Sequence, residues 1–128
     1  MTTTNSEVFI ARDIAQVWAV FGDFHGIGNW FPGLEGVRSE GDIRYVPMGP
    51  GVDITETLVA RDDAAFTLSY TVAADVLPTT KYVTTTSLRP ADGGCVAVMS
   101  AEIEPGDMAP MIQGIYDTAV QGLAKHFE

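Results

Sequence analysis

The chain has 128 residues, a formal net charge of -10, a hydrophobic content of 46% and a single cysteine, Cys95. This length predicts one domain over residues 1–128, and the composition argues against intrinsic disorder. The acidity argues against binding to nucleic acid or to an anionic membrane, since both need a basic surface. One cysteine excludes an internal disulfide.

The N-terminal part of the chain predicts one strand followed by two helical pieces. We expect the strand over residues 3–11 and a helix that starts after Asp13, because Gln16 three residues later completes the pattern of a capping box. The apolar residues that follow recur at helical spacing. Residues 22–32 predict a second short helical or irregular piece, interrupted by glycine and proline.

The middle of the chain predicts six strands joined by short turns. We expect turns at residues 40–41, 49–51, 62–63, 76–78 and 91–94, and short connections of this kind indicate antiparallel hairpins. The strands are expected over residues 37–39, 42–47, 52–61, 65–73, 81–89 and 95–103.

A long amphipathic helix is predicted at the C-terminus, with Asp107 as its cap and a wide apolar face that includes Tyr116. This order of elements predicts an α+β fold with one antiparallel sheet and helices against one face. We expect a cytoplasmic protein, because residues 1–5 lack the pattern of a signal peptide and no apolar run is long enough to span a membrane.

Glu56 occupies a strand position that should be apolar. Ile54, Glu56 and Leu58 share one face of the predicted strand, since side chains alternate with a period of two. An unpaired charge in a protein interior is costly. Glu56 is therefore either solvated or a functional group facing a partly dry interior.

Neighbouring strands are predicted to place other polar side chains close to Glu56. Symmetric hairpins would bring Arg44 to the same face, roughly diagonal to Glu56, with Tyr70 opposite or near Glu56 and Tyr82 close to Tyr70. This file is either a ladder on the solvated side of the sheet or the polar lining of an apolar cavity under the last helix.

Several segments form an ordered pattern over nearly the whole chain. They are Ala11 to Phe24, Asn29-Trp30-Phe31-Pro32, Gly41-Asp42-Ile43-Arg44-Tyr45, Thr55-Glu56-Thr57-Leu58, Arg61-Asp62-Asp63, Leu68-Ser69-Tyr70, Leu77-Pro78, Lys81-Tyr82 and Ala101-Glu102-Ile103-Glu104-Pro105. In this order and spacing they resemble the START-like proteins, also called the SRPBCC or Bet v 1-like superfamily, and especially its polyketide cyclase/dehydrase branch.

This resemblance implies a helix-grip fold, in which a curved antiparallel β-sheet wraps around the long C-terminal α-helix and two short helices follow the first strand. It also implies a deep cavity for an apolar ligand such as a lipid, hormone or polyketide. Two functions follow as alternatives: cofactor-independent cyclisation, dehydration or aromatisation of the ligand, or non-catalytic carriage or sensing of it.

The catalytic alternative assigns roles to the polar file, whose positions match recurrent positions of the family. Glu56 would act as the base and Arg44 would stabilise a developing enolate oxygen. Tyr70 and Tyr82 would orient the ligand, because a phenol with a pKa of about 10 suits hydrogen-bond donation better than base work. Under the other alternative, Arg44 and Glu56 form a purely structural pair.

Further residues are predicted to contact the ligand or to surround it. Phe31 stands where many relatives carry histidine, which weakens the case for acid–base chemistry there, and Met99 replaces a tryptophan, which would enlarge or soften the cavity. His25 is either a solvated loop residue or a general base at the cavity mouth. Ligand-binding residues are expected to be Tyr82, Trp30, Phe31, His25, Leu68, Met99 and Tyr116.

No metal site and no cofactor are predicted, because two separated histidines and one cysteine lack the spacing of a metal-binding cluster. The expected partner is an apolar small molecule, with the protein acting as a monomer or homodimer.

Overall fold

The computed structural model describes residues 2–34, 36–49, 52–74 and 77–128. Its strands are β1 (Thr2–Ile10), β2 (Arg38–Glu40), β3 (Ile43–Gly49), β4 (Val52–Asp62), β5 (Thr67–Ala73), β6 (Lys81–Ala91) and β7 (Gly94–Glu104). They form one sheet in the order β1-β7-β6-β5-β4-β3-β2, and each neighbouring pair is antiparallel.

Helices cover the interior side of this sheet. The helices are α1 (Ile14–Phe21) and α2 (Ala109–His126), with short 3₁₀ segments at Phe24–Asn29, Asp63–Ala65 and Gly106–Met108. α2 packs against β1 and β7, and α1 lies near β6. The predicted α+β helix-grip arrangement is confirmed.

β6 illustrates why these segments form strands. Its buried residues alternate with more exposed ones, so that one face of the strand lies in the interior. The β-branched threonine and valine side chains also favour an extended backbone. The buried set on this strand is Tyr82, Thr84, Thr86 and Leu88.

The turn between β6 and β7 follows the sequence pattern. Ala91 pairs with Gly94, which leaves Asp92 and Gly93 as a two-residue loop. Gly93 has a φ of 80°, a conformation that glycine adopts without steric cost. Pro50, Gly51 and Val76, which the sequence also assigns to turns, lie outside the described residues.

Each predicted strand corresponds to an observed one, with ends shifted by a few residues. The start of β5 is a larger difference, because residues 65–66 were expected in the strand. The Asp62 side chain accepts a hydrogen bond from Ala65 N–H and caps a 3₁₀ turn there. Phe66 then adopts a φ of 52°, so the strand begins at Thr67.

Both predicted helix caps need correction. Asp13 stands at the N-cap position of α1, but its side chain makes no capping hydrogen bond. Asp107 is not the cap of the last helix, since it lies inside the 3₁₀ segment Gly106–Met108 and Met108 is the N-cap of α2. Pro110 is accommodated in the first turn of α2, where its missing N–H is not needed.

α2 is fastened to the outer margin of β1 by side-chain hydrogen bonds. Asn5 N–H donates to Gln113 Oε1 at 3.0 Å, and Gln113 Nε2 donates to the Asn5 carbonyl at 2.8 Å. Ser6 Oγ donates to Asp117 Oδ1 at 2.6 Å. These bonds fix the helix along one side of the sheet.

Neither helix in the described part of the chain combines the length and apolarity needed to cross a bilayer.

Candidate functional site

A cavity of about 440 Å³ lies between the inner face of β3 to β6, α2 and the segment before β2. This volume falls within the range of about 300 to 1,000 Å³ typical of small-molecule sites. Its wall is mainly apolar. The described lining residues are Ile27, Phe31, Pro32, Gly33, Leu34, Val46, Pro47, Ile54, Glu56, Tyr70, Val72, Leu77, Tyr82, Met108, Met111, Ile112, Ile115 and Tyr116.

Glu56 faces this cavity and is held by Arg44. The two residues lie directly opposite each other on β4 and β3, closer than the diagonal placement expected from symmetric hairpins. Arg44 Nε donates to Glu56 Oε1 at 2.6 Å. Arg44 is 2% exposed and Glu56 is 9% exposed, so this is a buried ion pair.

Arg44 lies behind Glu56 and does not line the cavity. Its Nη1 donates to the Phe24 carbonyl, and its guanidinium carbon lies 4.0 Å from the Phe24 ring centroid and 4.5 Å from that of Tyr70. These contacts hold the cation between two aromatic faces. The geometry therefore supports a role in positioning Glu56 and does not support direct contact with a ligand oxygen.

Burial raises the pKa of Glu56 above its ordinary value, while the charge and hydrogen bond of Arg44 act in the opposite direction. A carboxylate with a raised pKa is a stronger base near neutral pH than an exposed one. Glu56 thus combines access to the cavity with a raised pKa.

Tyr70 lies diagonal to Glu56 across the β4–β5 pair. Glu56 pairs with Val72 and Leu58 pairs with Tyr70, and the register shifts between Leu58 and Ala60. Tyr70 is 2% exposed, and its ring packs edge-on against Phe24 at 5.7 Å between centroids. The tyrosine, Arg44 and Phe24 consequently pack together on the side of the cavity that carries Glu56.

A chain of hydroxyl groups links β6 to α2. The Tyr82 hydroxyl lies 2.8 Å from the Tyr116 hydroxyl, which lies 2.7 Å from Thr84 Oγ1. Burial raises the pKa of Tyr82 to about 12, and it also raises the pKa values of Tyr70 and Tyr116. These phenols stay protonated at neutral pH, so they can donate hydrogen bonds to a ligand carbonyl.

The other predicted ligand-binding residues differ in whether they line the cavity. Phe31 lines the cavity, whereas Trp30, Leu68 and Met99 are buried and are absent from its described wall. The Trp30 ring packs against Phe21 at 5.3 Å and Phe31 at 5.5 Å between centroids, so it supports the wall from behind. His25 is exposed and borders a separate surface depression.

Sequence reasoning missed part of the wall. Ile54 and Val72 belong to strand faces already identified as interior, so the period-two alternation contained the signal for them. Met108 and Met111 extend the cavity wall along the start of α2, and Met111 is 55% exposed. Thr84, which is not on the described wall but hydrogen-bonds to Tyr116, was also missed, although its position two residues after Tyr82 places it on the same strand face.

Among the described residues, no group of three or more His, Cys, Asp or Glu side chains is arranged to hold a metal ion. The polar side chains on the described cavity wall are one carboxylate and three phenols.

Comparisons with known proteins agree with this architecture. The family model described as polyketide cyclase / dehydrase and lipid transport matches residues 1–128. XoxI from Bacillus cereus superposes with a TM-score of 0.89 at 23% identity, covering 99% of this chain and 96% of that one. A protein from Thermobifida fusca gives a TM-score of 0.85 at 26% identity, with coverages of 99% and 93%.

A third solved structure, DynU16 from the dynemicin biosynthetic locus, gives a TM-score of 0.75 at 16% identity. The match covers 97% of this chain and 46% of that one. A search of curated proteins found no match.

The predicted resemblance to SRPBCC proteins is confirmed by the match over the whole chain. Family and fold together indicate a role in binding a hydrophobic ligand. The chain belongs to the polyketide cyclase/dehydrase and lipid transport family.

Proposed function

We propose that the protein binds an apolar small molecule of polyketide-like or aromatic character in the cavity between the sheet and α2. The observation that carries this proposal is a mainly apolar wall on which Glu56, Tyr70, Tyr82 and Tyr116 converge. Apolar walls supply affinity by removing ligand surface from water, and a few polar groups fix the orientation of the ligand.

The phenols determine how such a ligand would lie. Tyr82 and Tyr116 are joined by a hydrogen bond of 2.8 Å, and either hydroxyl can act as the donor. A ligand carbonyl beside Tyr82 would accept a hydrogen bond from it, while Tyr116 remains satisfied by Thr84. The oxygenated end of the ligand would therefore lie toward β4 to β6, with its apolar part along Ile112 and Ile115.

Proton transfer by Glu56 is a second candidate function, favoured by a cavity-facing carboxylate whose orientation is fixed by Arg44. In a cyclisation or dehydration, Glu56 would take a proton from the carbon next to a ligand carbonyl, and the electron pair would move onto the carbonyl oxygen. Protonated Tyr70 or Tyr82 would stabilise the resulting enolate by hydrogen bonding. Binding without this step would make the protein a carrier.

Binding can be tested by native mass spectrometry of the freshly purified protein, which would reveal a ligand that copurifies with the protein and its mass. Ile115→Trp should fill the cavity and lower ligand occupancy by about tenfold or more. Ile14→Trp is the matched control, since Ile14 is also partly buried on a helix but is not part of the cavity wall. Equal occupancy in both variants would show that this cavity is not the binding site.

Catalysis can be tested with the recovered ligand. The Glu56→Gln variant should bind the recovered ligand with an affinity within a few-fold of the parent's. It should turn the ligand over about 10²-fold or more slowly, because general base catalysis contributes factors of that size. The control is Glu102→Gln, which replaces an exposed carboxylate paired with Lys81. Unchanged turnover in Glu56→Gln would exclude the base role, and binding without turnover in the parent protein would identify a carrier.

A further inference from the structure

The described cavity wall carries a negatively charged side chain and no positively charged one. Glu56 is the one carboxylate on the described wall, and none of the described lining residues is Lys, Arg or His. The part of the chain left undescribed contains no basic side chain, because residues 1, 35, 50, 51, 75 and 76 are Met, Glu, Pro, Gly, Asp and Val. No cationic side chain is therefore available on this wall to bind an anionic ligand.

Arg44 does not change this balance. Its Nε is occupied by Glu56 and its Nη1 by the Phe24 carbonyl. Its Nη2 is fully buried and has no hydrogen-bond partner among the described residues, so it presents no surface to a ligand. The guanidinium neutralises Glu56 from behind without exposing a donor to the cavity.

Glu56 keeps one oxygen for a ligand. Oε1 accepts the hydrogen bond from Arg44, and within the described chain no hydrogen bond to Oε2 is seen. Arg44 cannot give up its proton, so a neutral Glu56 would leave a buried cation without a counter-ion. The free oxygen is thus a carboxylate oxygen, which accepts hydrogen bonds and repels other anions.

We propose that this cavity selects neutral ligands that carry a hydroxyl or enol group and discriminates against ligands that carry a carboxylate. The ligand O–H would donate to Glu56, and the apolar wall would take its hydrocarbon part. A carboxylate would have to leave water without a cation to replace its hydration, while lying next to Glu56. The selectivity rests on the proposed binding function and names the class of ligand for the same site.

Three probes with one ring system test this selectivity. We would titrate the protein with 2-naphthol, 2-naphthoate and 2-methylnaphthalene by calorimetry at about pH 7.5, where the naphthoate is ionised. The naphthol should bind about tenfold or more tightly than the naphthoate and more tightly than the methylnaphthalene. Naphthoate binding as tight as naphthol binding would overturn the selectivity. Failure of all three probes to bind would instead contradict the proposed function and remove the basis of the selectivity with it.

Glu56→Gln identifies the source of the discrimination. Removing the anion in front of Arg44 should narrow the preference for naphthol over naphthoate to about threefold or less, with Glu102→Gln unchanged as the matched control. An unaltered preference in Glu56→Gln would overturn the role given to Glu56.

A measurement on the unmodified protein covers the case in which Glu56→Gln does not fold. The ¹³C carboxyl resonance of Glu56 should shift when naphthol is added at saturation and should stay in place with methylnaphthalene. Equal shifts with both probes would show that no hydrogen bond forms to Glu56 and would overturn the proposal.

Discussion

Arg44 and Glu56 face each other directly across β3 and β4, and a hydrogen bond of 2.6 Å joins Nε of the arginine to Oε1 of the glutamate. The pair turns an isolated buried carboxylate into a compensated one that still reaches the cavity. It also hides the cation, because Arg44 is enclosed by Phe24, Tyr70 and Glu56.

Replacing one residue of this ion pair should destabilise the protein more than replacing both residues with apolar ones. Arg44→Met should lower the free energy of unfolding by about 3 to 5 kcal/mol, because it leaves Glu56 buried without a partner. The double variant Arg44→Met, Glu56→Leu should recover most of this loss, since two apolar residues need no compensation. Urea unfolding of both variants and the parent measures the difference. A double variant that is less stable than the single one would contradict this account of the pair.

Two buried threonines on β6 should respond differently to the same substitution. Thr84→Val removes the hydrogen bond to Tyr116 and should cost about 1 kcal/mol. Thr86→Val should be neutral or stabilising, because Thr86 Oγ1 is buried and has no hydrogen-bond partner among the described residues.

Thermal or urea unfolding of the two valine variants gives this comparison directly. In a Tyr116→Phe background, the cost of Thr84→Val should largely disappear, since the partner hydroxyl is already absent. The same cost in both backgrounds would show that the hydroxyl chain does not contribute to stability.

Replacing each of two glycines of α2 by alanine should change the stability of the protein in opposite directions. Gly114→Ala should raise the free energy of unfolding by about 1 kcal/mol, because a Cβ there meets no atom within 4 Å and alanine favours the helix. At Gly122 a Cβ would lie 2.7 Å from Pro32 Cδ and 3.0 Å from the Trp30 carbonyl oxygen. Gly122→Ala should therefore destabilise the protein by about 1 to 3 kcal/mol. Equal stabilisation by both would mean that α2 does not approach residues 30–32 so closely.

Tyr82 should make the protein sensitive to alkaline pH. Its pKa is raised to about 12 in the folded state by burial, against about 10 in an unfolded chain. The unfolded chain loses this proton first, so the stability that Tyr82 contributes is complete below pH of about 10 and is lost as pH rises toward the folded value.

Between pH of about 10 and pH of about 12, the free energy of unfolding of the parent should fall with pH more steeply than that of Tyr82→Phe. The difference in slope should be about 1.4 kcal/mol per pH unit. Urea unfolding at several pH values checks this, with absorbance at the phenolate band as a second readout. Parallel slopes for the parent and the variant would show that the Tyr82 phenol titrates normally in the folded protein.

The placement of Glu56 on the same strand face as Ile54 and Leu58 could be predicted, because alternation along a strand depends only on local sequence. The exact partner could not, since the diagonal placement of Arg44 assumed a symmetric turn, and the observed register sets the two residues opposite each other. The irregularity between Leu58 and Ala60 likewise fixes which residue of β5 lies beside Glu56, and no local signal announces it.

The role of loop residues was harder still to predict. The sequence leaves His25 as either a solvated loop residue or a general base at the cavity mouth. In the structure the 3₁₀ segment Phe24–Asn29 buries Phe24 and Ile27 and leaves His25 exposed. Trp30 and Phe31 are adjacent in sequence, yet only Phe31 is on the described cavity wall. Such a division depends on how the segment packs against α2, which composition and periodicity do not determine.

The Gln113 amide has a consequence for association between molecules. A strand at the margin of a sheet exposes N–H and C=O groups that another strand can pair with. At Asn5 both groups are already bonded to the Gln113 side chain, which takes the place of a residue from an eighth strand. The C-terminal helix therefore blocks edge-to-edge strand pairing at Asn5, in addition to covering the interior.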